Sequence, residues 1–174
     1  MKVINLWGSP GSGKSTTAAG LFHKMKMADY NVELINEFAK DVVWEGRQYL
    51  LADQLYIAAK QNRKLERLRG KVDYCITDSP LLLCLAYKPQ NYYNLFDDFI
   101  KEVWDSYDNI NFLIQRTHAY RNNGRYQSED QTNQIERDIR DILHHYEQDC
   151  TFINGGDAAE YIFSRIHEND LQLS

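Results

Sequence analysis

Eight residues, Gly8-Ser9-Pro10-Gly11-Ser12-Gly13-Lys14-Ser15, follow directly on an apolar run, Val3-Ile4-Asn5-Leu6-Trp7. They fit the pattern G-x-x-x-x-G-K-S, which needs a strand before it and a helix after it. Both flanks are present. Lys2 to Trp7 reads as a mostly apolar strand, and Ala18, Leu21, Phe22 and Met25 recur at helical spacing behind the loop. With glycine at roughly 7% of residues, a chain of this length would show the pattern by chance about once in 150 sequences. The glycines let backbone N–H groups turn inward around a β-phosphate, and the helix start faces the anion. Lys14 can reach the β- and γ-oxygens, and the Ser15 hydroxyl can ligate Mg²⁺. The motif therefore predicts ATP with Mg²⁺, cradled by Gly8, Ser9, Pro10, Gly11, Ser12, Gly13, Lys14, Ser15 and Thr16.

The rest of the chain alternates in the same way. Strands are expected at Lys2–Trp7, Val32–Asn36, Val72–Thr77, Ile110–Gln115 and Thr151–Asn154. Helices are expected at Gly13–Met27, Phe38–Trp44, Gln48–Arg69, Tyr92–Tyr107, Asp130–Asp149 and Ala158–His167. Ser128 with Gln131 and Asp157 with Glu160 have the spacing of capping boxes. Short apolar strands separated by helices argue for an α/β fold, a parallel sheet covered on both faces. Such sheets bind ligands at the carboxyl ends of their strands.

Each strand end carries chemistry. Asn36-Glu37 follows the second strand, Asp78-Ser79-Pro80 the third, Arg116 the fourth, and Asn154-Gly155-Gly156 the fifth. Asp78 is placed to hold Mg²⁺ opposite Ser15; a turn-forming aspartate before Ser-Pro is the plainer reading. Glu37 is a candidate base for deprotonating a hydroxyl acceptor, with Asp41 one turn on as its competitor. The alternative for Glu37 is support of a helix dipole. Arg121 and Arg125 lie in a polar stretch, about residues 117–130, that reads as a lid bringing positive charge to the transferring phosphate. Arg116 could stack on adenine through its planar guanidinium. Gln54 and Gln61, seven apart on one helix face, could read a base edge or simply lie on an exposed face.

Composition narrows the partners. The net charge of −5 does not suit a large nucleic-acid interface. Lys60, Arg63, Lys64, Arg67, Arg69 and Lys71 nevertheless crowd one stretch against the single Glu66. That stretch is either a solvated helix end or a face for a phosphorylated or polymeric substrate. No run of about 18 apolar residues is present and no secretory leader is visible, so no membrane association and a cytoplasmic location are expected. Cys75, Cys84 and Cys150 read as free thiols, and the histidines lack metal-ligand spacing. The 174 residues are expected to form one domain; a homodimer is left open.

Assembled, these residues resemble the nucleoside and nucleotide kinases of the P-loop class, in particular small phage-encoded P-loop kinases and ribosylnicotinamide-kinase-like ATPases. The resemblance covers nearly the whole chain. It implies a P-loop NTPase three-layer fold with a five-stranded parallel sheet in the order 2-3-1-4-5 and an arginine-bearing lid. It also implies that Glu37 is the base, that Gln54 reads the acceptor base with Arg63 nearby, and that Asn154 and Gly155 touch adenine. The third-strand motif is Asp-Ser-Pro, whereas many deoxynucleoside kinases carry an Asp/Glu-Arg pair. The acceptor is accordingly open: a free nucleoside, a nucleotide, or a hydroxymethylated pyrimidine in phage DNA. A nucleoside monophosphate kinase and an ATP-driven switch or binding module are the alternatives.

Overall fold

Five parallel strands form the centre of the computed structural model, which describes residues 1–116 and 129–173. They are β1 (Lys2–Trp7), β2 (Val32–Ile35), β3 (Tyr74–Thr77), β4 (Asp108–Gln115) and β5 (Cys150–Asn154), in the spatial order β2-β3-β1-β4-β5. This is the expected order of a P-loop kinase fold. Helices α1 (Lys14–Met27) and α7 (Ala158–Leu173) cover one face. Helices α3 (Gln54–Glu66), α4 (Cys84–Tyr87), α5 (Phe96–Asp105) and α6 (Glu129–His145) cover the other, and the short α2 (Phe38–Trp44) follows β2. Among the described residues no helix is long and apolar enough to cross a membrane.

Strand β1 shows why its sequence reads as a continuous apolar run. Ile4 and Leu6 pack with Leu21 and Met25 of α1 and Ile162 of α7, while Val3 and Trp7 pack with Leu82, Ile100 and Trp104 on the opposite face. All five of those strand and α1 positions, Ile4, Leu6, Trp7, Leu21 and Met25, are fully buried, as the centre of a parallel sheet requires. Polar side chains inside this layer are paired. The Asn5 amide donates to Asn109 Oδ1 at 2.9 Å, and Trp7 Nε1 donates to Asn111 Oδ1 at 3.1 Å. These bonds join β1 to β4 and satisfy groups that would be costly to bury alone.

The structure corrects several expected boundaries. The helix expected over Gln48–Arg69 is interrupted. Gln48–Ala52 is a 3₁₀ turn, and α3 starts only at Gln54, where the Asp53 carboxylate accepts from Tyr56 N at 3.1 Å. Asp53 is an N-cap, the device that starts a helix here, and its single side chain outweighs the periodicity running through it. The helix expected from Tyr92 begins at Phe96, and the last helix runs on from His167 to Leu173. Leu81–Leu83 form a 3₁₀ turn leading into α4, an element not anticipated because a short apolar run carries no period. Cys75 and Cys84 are buried, Cys150 is half-buried, and all three are free; burial pushes the Cys75 thiol up to about 12.

Leu82 contributes to this core with no exposed surface. Leu82→Ala should lower unfolding stability by about 3 kcal/mol, read by chemical denaturation. Asp53→Ala should cost about 1 kcal/mol by the same measurement, through loss of the cap.

Candidate active site

The phosphate loop sits between the ends of β1 and α1. Gly8 and Gly13 have φ of 149° and 96°, conformations that side chains resist. A Cβ on Gly8 would overlap Ser12 Oγ and stand 2.8 Å from the Ile114 carbonyl, so close backbone approach also demands glycine there. Gly13 is the N-cap of α1 and offers no side-chain cap, which leaves the first-turn amides for an anion. Ser15 and Thr16, in that first turn, are exposed. Lys14 Nζ donates to the carbonyls of Gly8 at 2.6 Å and Ser9 at 3.1 Å, folding the ammonium over the loop. Ser9 and Ser12 are buried, and Ser12 Oγ has no hydrogen-bond partner among the described residues.

Asp78 closes β3 opposite this loop. Its Oδ2 accepts from Ser15 Oγ at 2.6 Å. Its Oδ1 is buried with no partner among the described residues, an orphaned acceptor that water or a cation would satisfy. A serine hydroxyl beside a carboxylate with one open oxygen is a donor set that fits Mg²⁺, which takes few protein ligands and completes its shell with water and phosphate. Among the described residues no group of three or more His, Cys, Asp or Glu side chains could by itself hold a metal ion.

Glu37 is the N-cap residue of α2, yet its side chain makes no capping bond. Half-buried at the end of β2, it has its carboxyl raised above the usual range by burial; the charge of Lys14 opposes the rise and that of Asp78 adds to it. The three groups therefore share one electrostatic environment. Asp41, its competitor, is exposed and ion-paired to Lys64 at 3.2 Å. Tyr87 of α4 joins the Glu37 surroundings: burial pushes its phenol up and the Glu37 charge adds to the rise.

The other expected residues divide. Gln115 of β4 pairs in register with Asn154 of β5, and Gly155 N donates to the Gln115 carbonyl at 3.3 Å. Arg116 therefore lies beside Asn154 and Gly155, and Asn133 of α6 accepts from its guanidinium at 2.8 Å. Gln54 is buried and its amide donates to the Leu51 carbonyl at 2.7 Å, closing the 3₁₀ turn onto α3. Gln61 is buried and bonded at both ends, to Phe38 N and Thr77 Oγ1. Neither glutamine lies on an exposed helix face. Arg63 is exposed on another side of α3, lining a cavity of about 400 Å³ with Phe99 and Val103 of α5, and the structure does not bring it to Glu37. Of the basic stretch, Lys64 is tied to Asp41 and the Asn36 carbonyl, and Arg69 to Glu66 and Ser106. Arg121, Arg125 and Ser128 lie outside the described residues. Sequence reasoning missed Thr77, Tyr87, Asn133 and Glu136, whose carboxylate accepts from Ser9 Oγ at 3.3 Å across 127 residues of chain. No local pattern signals such a contact.

A P-loop α/β domain of the kinase fold is thus defined by sheet order, phosphate loop and strand ends. The chain belongs to the AAA domain family, whose description matches residues 3–160. No curated protein matches it in sequence. Among solved structures it is similar to the deoxyadenosine kinase of M. mycoides with the products dCMP and a flexible dCDP bound, at 17% identity and a TM-score of 0.63, covering 97% of this chain and 100% of that one. The same kinase with bound dCTP aligns at 18% identity and 0.60 with the same coverage. Thymidylate kinase from Candida albicans aligns at 12% identity and 0.64, covering 97% and 92%. At these identities the likeness is one of fold.

Two outcomes follow from this geometry. Gly8→Ala should abolish binding of a fluorescent ATP analogue while leaving the far-ultraviolet circular dichroism unchanged. The raised Glu37 carboxyl means that the folded chain holds its proton more tightly than the unfolded chain. Its favourable contribution is full below the unfolded value and is lost as pH rises through the folded one. Glu37→Gln should therefore melt higher than the wild type at about pH 8, with the gap closing toward about pH 4. Equal melting temperatures at both pH values would contradict a raised carboxyl.

Proposed function

We propose that this protein is an ATP-dependent phosphotransferase that moves the γ-phosphoryl group to a hydroxyl of a nucleoside-like acceptor. The observation that carries this reading is Glu37. It is a carboxylate not spent on capping, coupled electrostatically to Lys14 and Asp78, while Asp41 is exposed and paired elsewhere. A hydroxyl acceptor needs a base in that place; a phosphate acceptor does not.

The residues divide the work by position. The loop amides and Lys14 bind the phosphates and offset their charge. Ser15 and Asp78 would hold Mg²⁺, which when bound offsets charge on the β- and γ-oxygens. Arg116, Asn154 and Gly155 form the adenine end. Glu37 takes the proton of the acceptor hydroxyl at a carboxylate oxygen. The hydroxyl oxygen then forms its bond to the γ-phosphorus as the β–γ bridging bond breaks, and that electron pair leaves with ADP. Arg121 and Arg125 would add positive charge at the same phosphoryl group. The shared fold with the deoxyadenosine kinase of M. mycoides supports a nucleoside acceptor, whereas the thymidylate kinase of Candida albicans, of the same fold, stands for the monophosphate alternative. Within the nucleoside-like class we include a free nucleoside and a hydroxymethylated pyrimidine in a nucleotide or in phage DNA.

Incubation with γ-labelled ATP and separate pools of nucleosides, nucleoside monophosphates and hydroxymethylated DNA tests the reading. Label should enter a hydroxyl-bearing pool and not require an existing phosphate at the site of transfer. Label passing only onto monophosphate oxygens would identify a monophosphate kinase instead, and hydrolysis without a labelled acceptor would identify a switch. Glu37→Gln should lower kcat about 100-fold with KM for ATP unchanged, and the acid limb of the wild-type kcat profile should lie above the ordinary carboxylate range. Full activity in that variant would remove the base assignment.

A further inference from the structure

Gln61 is 3% exposed, and its side-chain amide bridges two strand ends that the sequence keeps far apart. Phe38 N donates to its Oε1 at 3.0 Å, and its Nε2 donates to Thr77 Oγ1 at 3.2 Å. The amide orientation follows from chemistry, since a backbone N–H can only donate. Thr77, with no exposed surface, also accepts from Ser79 N at 3.1 Å. The relay thus touches the residue after Glu37 and the residues on both sides of Asp78.

The Phe38 amide is one of the first-turn donors of α2 that have no intrahelical partner. An N-cap side chain commonly serves that group of amides. Here Glu37 makes no such bond, and the first of the amides is served by Gln61 from another helix. The Glu37 carboxylate is thereby not committed to the helix start and stands in the field of Lys14 and Asp78. Thr77 lies between β1 and β2, opposite Asn5 and Ile35, so its own backbone is held by the sheet. The bridge therefore ties the start of α2 to a rigid anchor next to Asp78.

We propose that Gln61 is a positioning residue that sets the placement of Glu37 relative to Asp78, acting on phosphoryl transfer without contacting either substrate. It rests on the reading of Glu37 as the base. A misplacement of about 1 Å in such a group costs on the order of 100-fold in rate. Removal of the bridge should act on kcat and leave the binding of ATP alone.

The test uses Gln61→Met, an apolar near-isostere, with Thr77→Val as a second break in the same relay and Thr77→Ser as the conservative control. Each is assayed with γ-labelled ATP and whichever of the nucleoside, monophosphate or hydroxymethylated-DNA pools takes label from the wild type. Gln61→Met and Thr77→Val should each lower kcat about 10- to 100-fold, with KM for ATP and acceptor within about twofold. Thr77→Ser should restore most of the rate. In a Glu37→Gln background, Gln61→Met should add almost nothing, because it acts through Glu37. A crystal structure of Gln61→Met should show Glu37 moved relative to Asp78, whether or not an acceptor is in hand. An unmoved Glu37, a fully additive double variant, or a raised KM with altered acceptor preference would overturn the proposal, the last by making Gln61 a reader of the acceptor. A fully active Glu37→Gln would overturn the base reading itself, a result distinct from the other three.

Discussion

Strand β1 has a partner on each edge and apolar cover on each face, so its carboxyl end can open in only one direction. The chain must then reverse into α1 within six residues, from Gly8 to Gly13, beside the Ile114 carbonyl of β4. Only a glycine-bearing loop satisfies both the close approach and the positive φ. Everything in the site is measured from that turn. Asp78 reaches Ser15 because β3 is the neighbour of β1 on one side, and Arg116 ends the strand on the other. A different sheet order would leave the same residues far apart.

Electrostatics separates two carboxylates that look alike in sequence. Glu37 and Asp41 lie one turn apart, yet one is half-buried near Lys14 and Asp78 while the other is exposed against Lys64. Burial disfavours the charged form of Glu37 and makes it a stronger base when ionised. Asp41 is instead held in a surface ion pair with Lys64. Neighbours on other elements act around Glu37: Gln61 accepts from the amide of the next residue, and the Lys14 charge opposes the rise in its carboxyl.

The sheet order was legible through resemblance, and the five strands through their apolar runs, because a parallel sheet buries both faces of every central strand. The phosphate loop was legible residue by residue, since its chemistry is local. The break at Asp53 was not, because a single capping bond to Tyr56 N interrupts a helical period that continues on both sides. Gln54 and Gln61 were placed on a shared face correctly, but the face is inside the fold. Periodicity reports which residues share a side; it is silent on which neighbour that side meets.

Sequence alone determined the ligand class of Gly8–Ser15, the order of strand and helix, and the residues delivered to each strand end. These follow from backbone sterics and from spacing, which act within a few residues. Tertiary structure decided which of those residues meet. It joined Ser15 to Asp78, set Arg116 beside Gly155, turned Arg63 toward α5, and used Gln61 to tie Phe38 to Thr77. Such contacts cross tens of residues, and the packing of helices on the sheet selects them, so no local pattern in the chain encodes the partner.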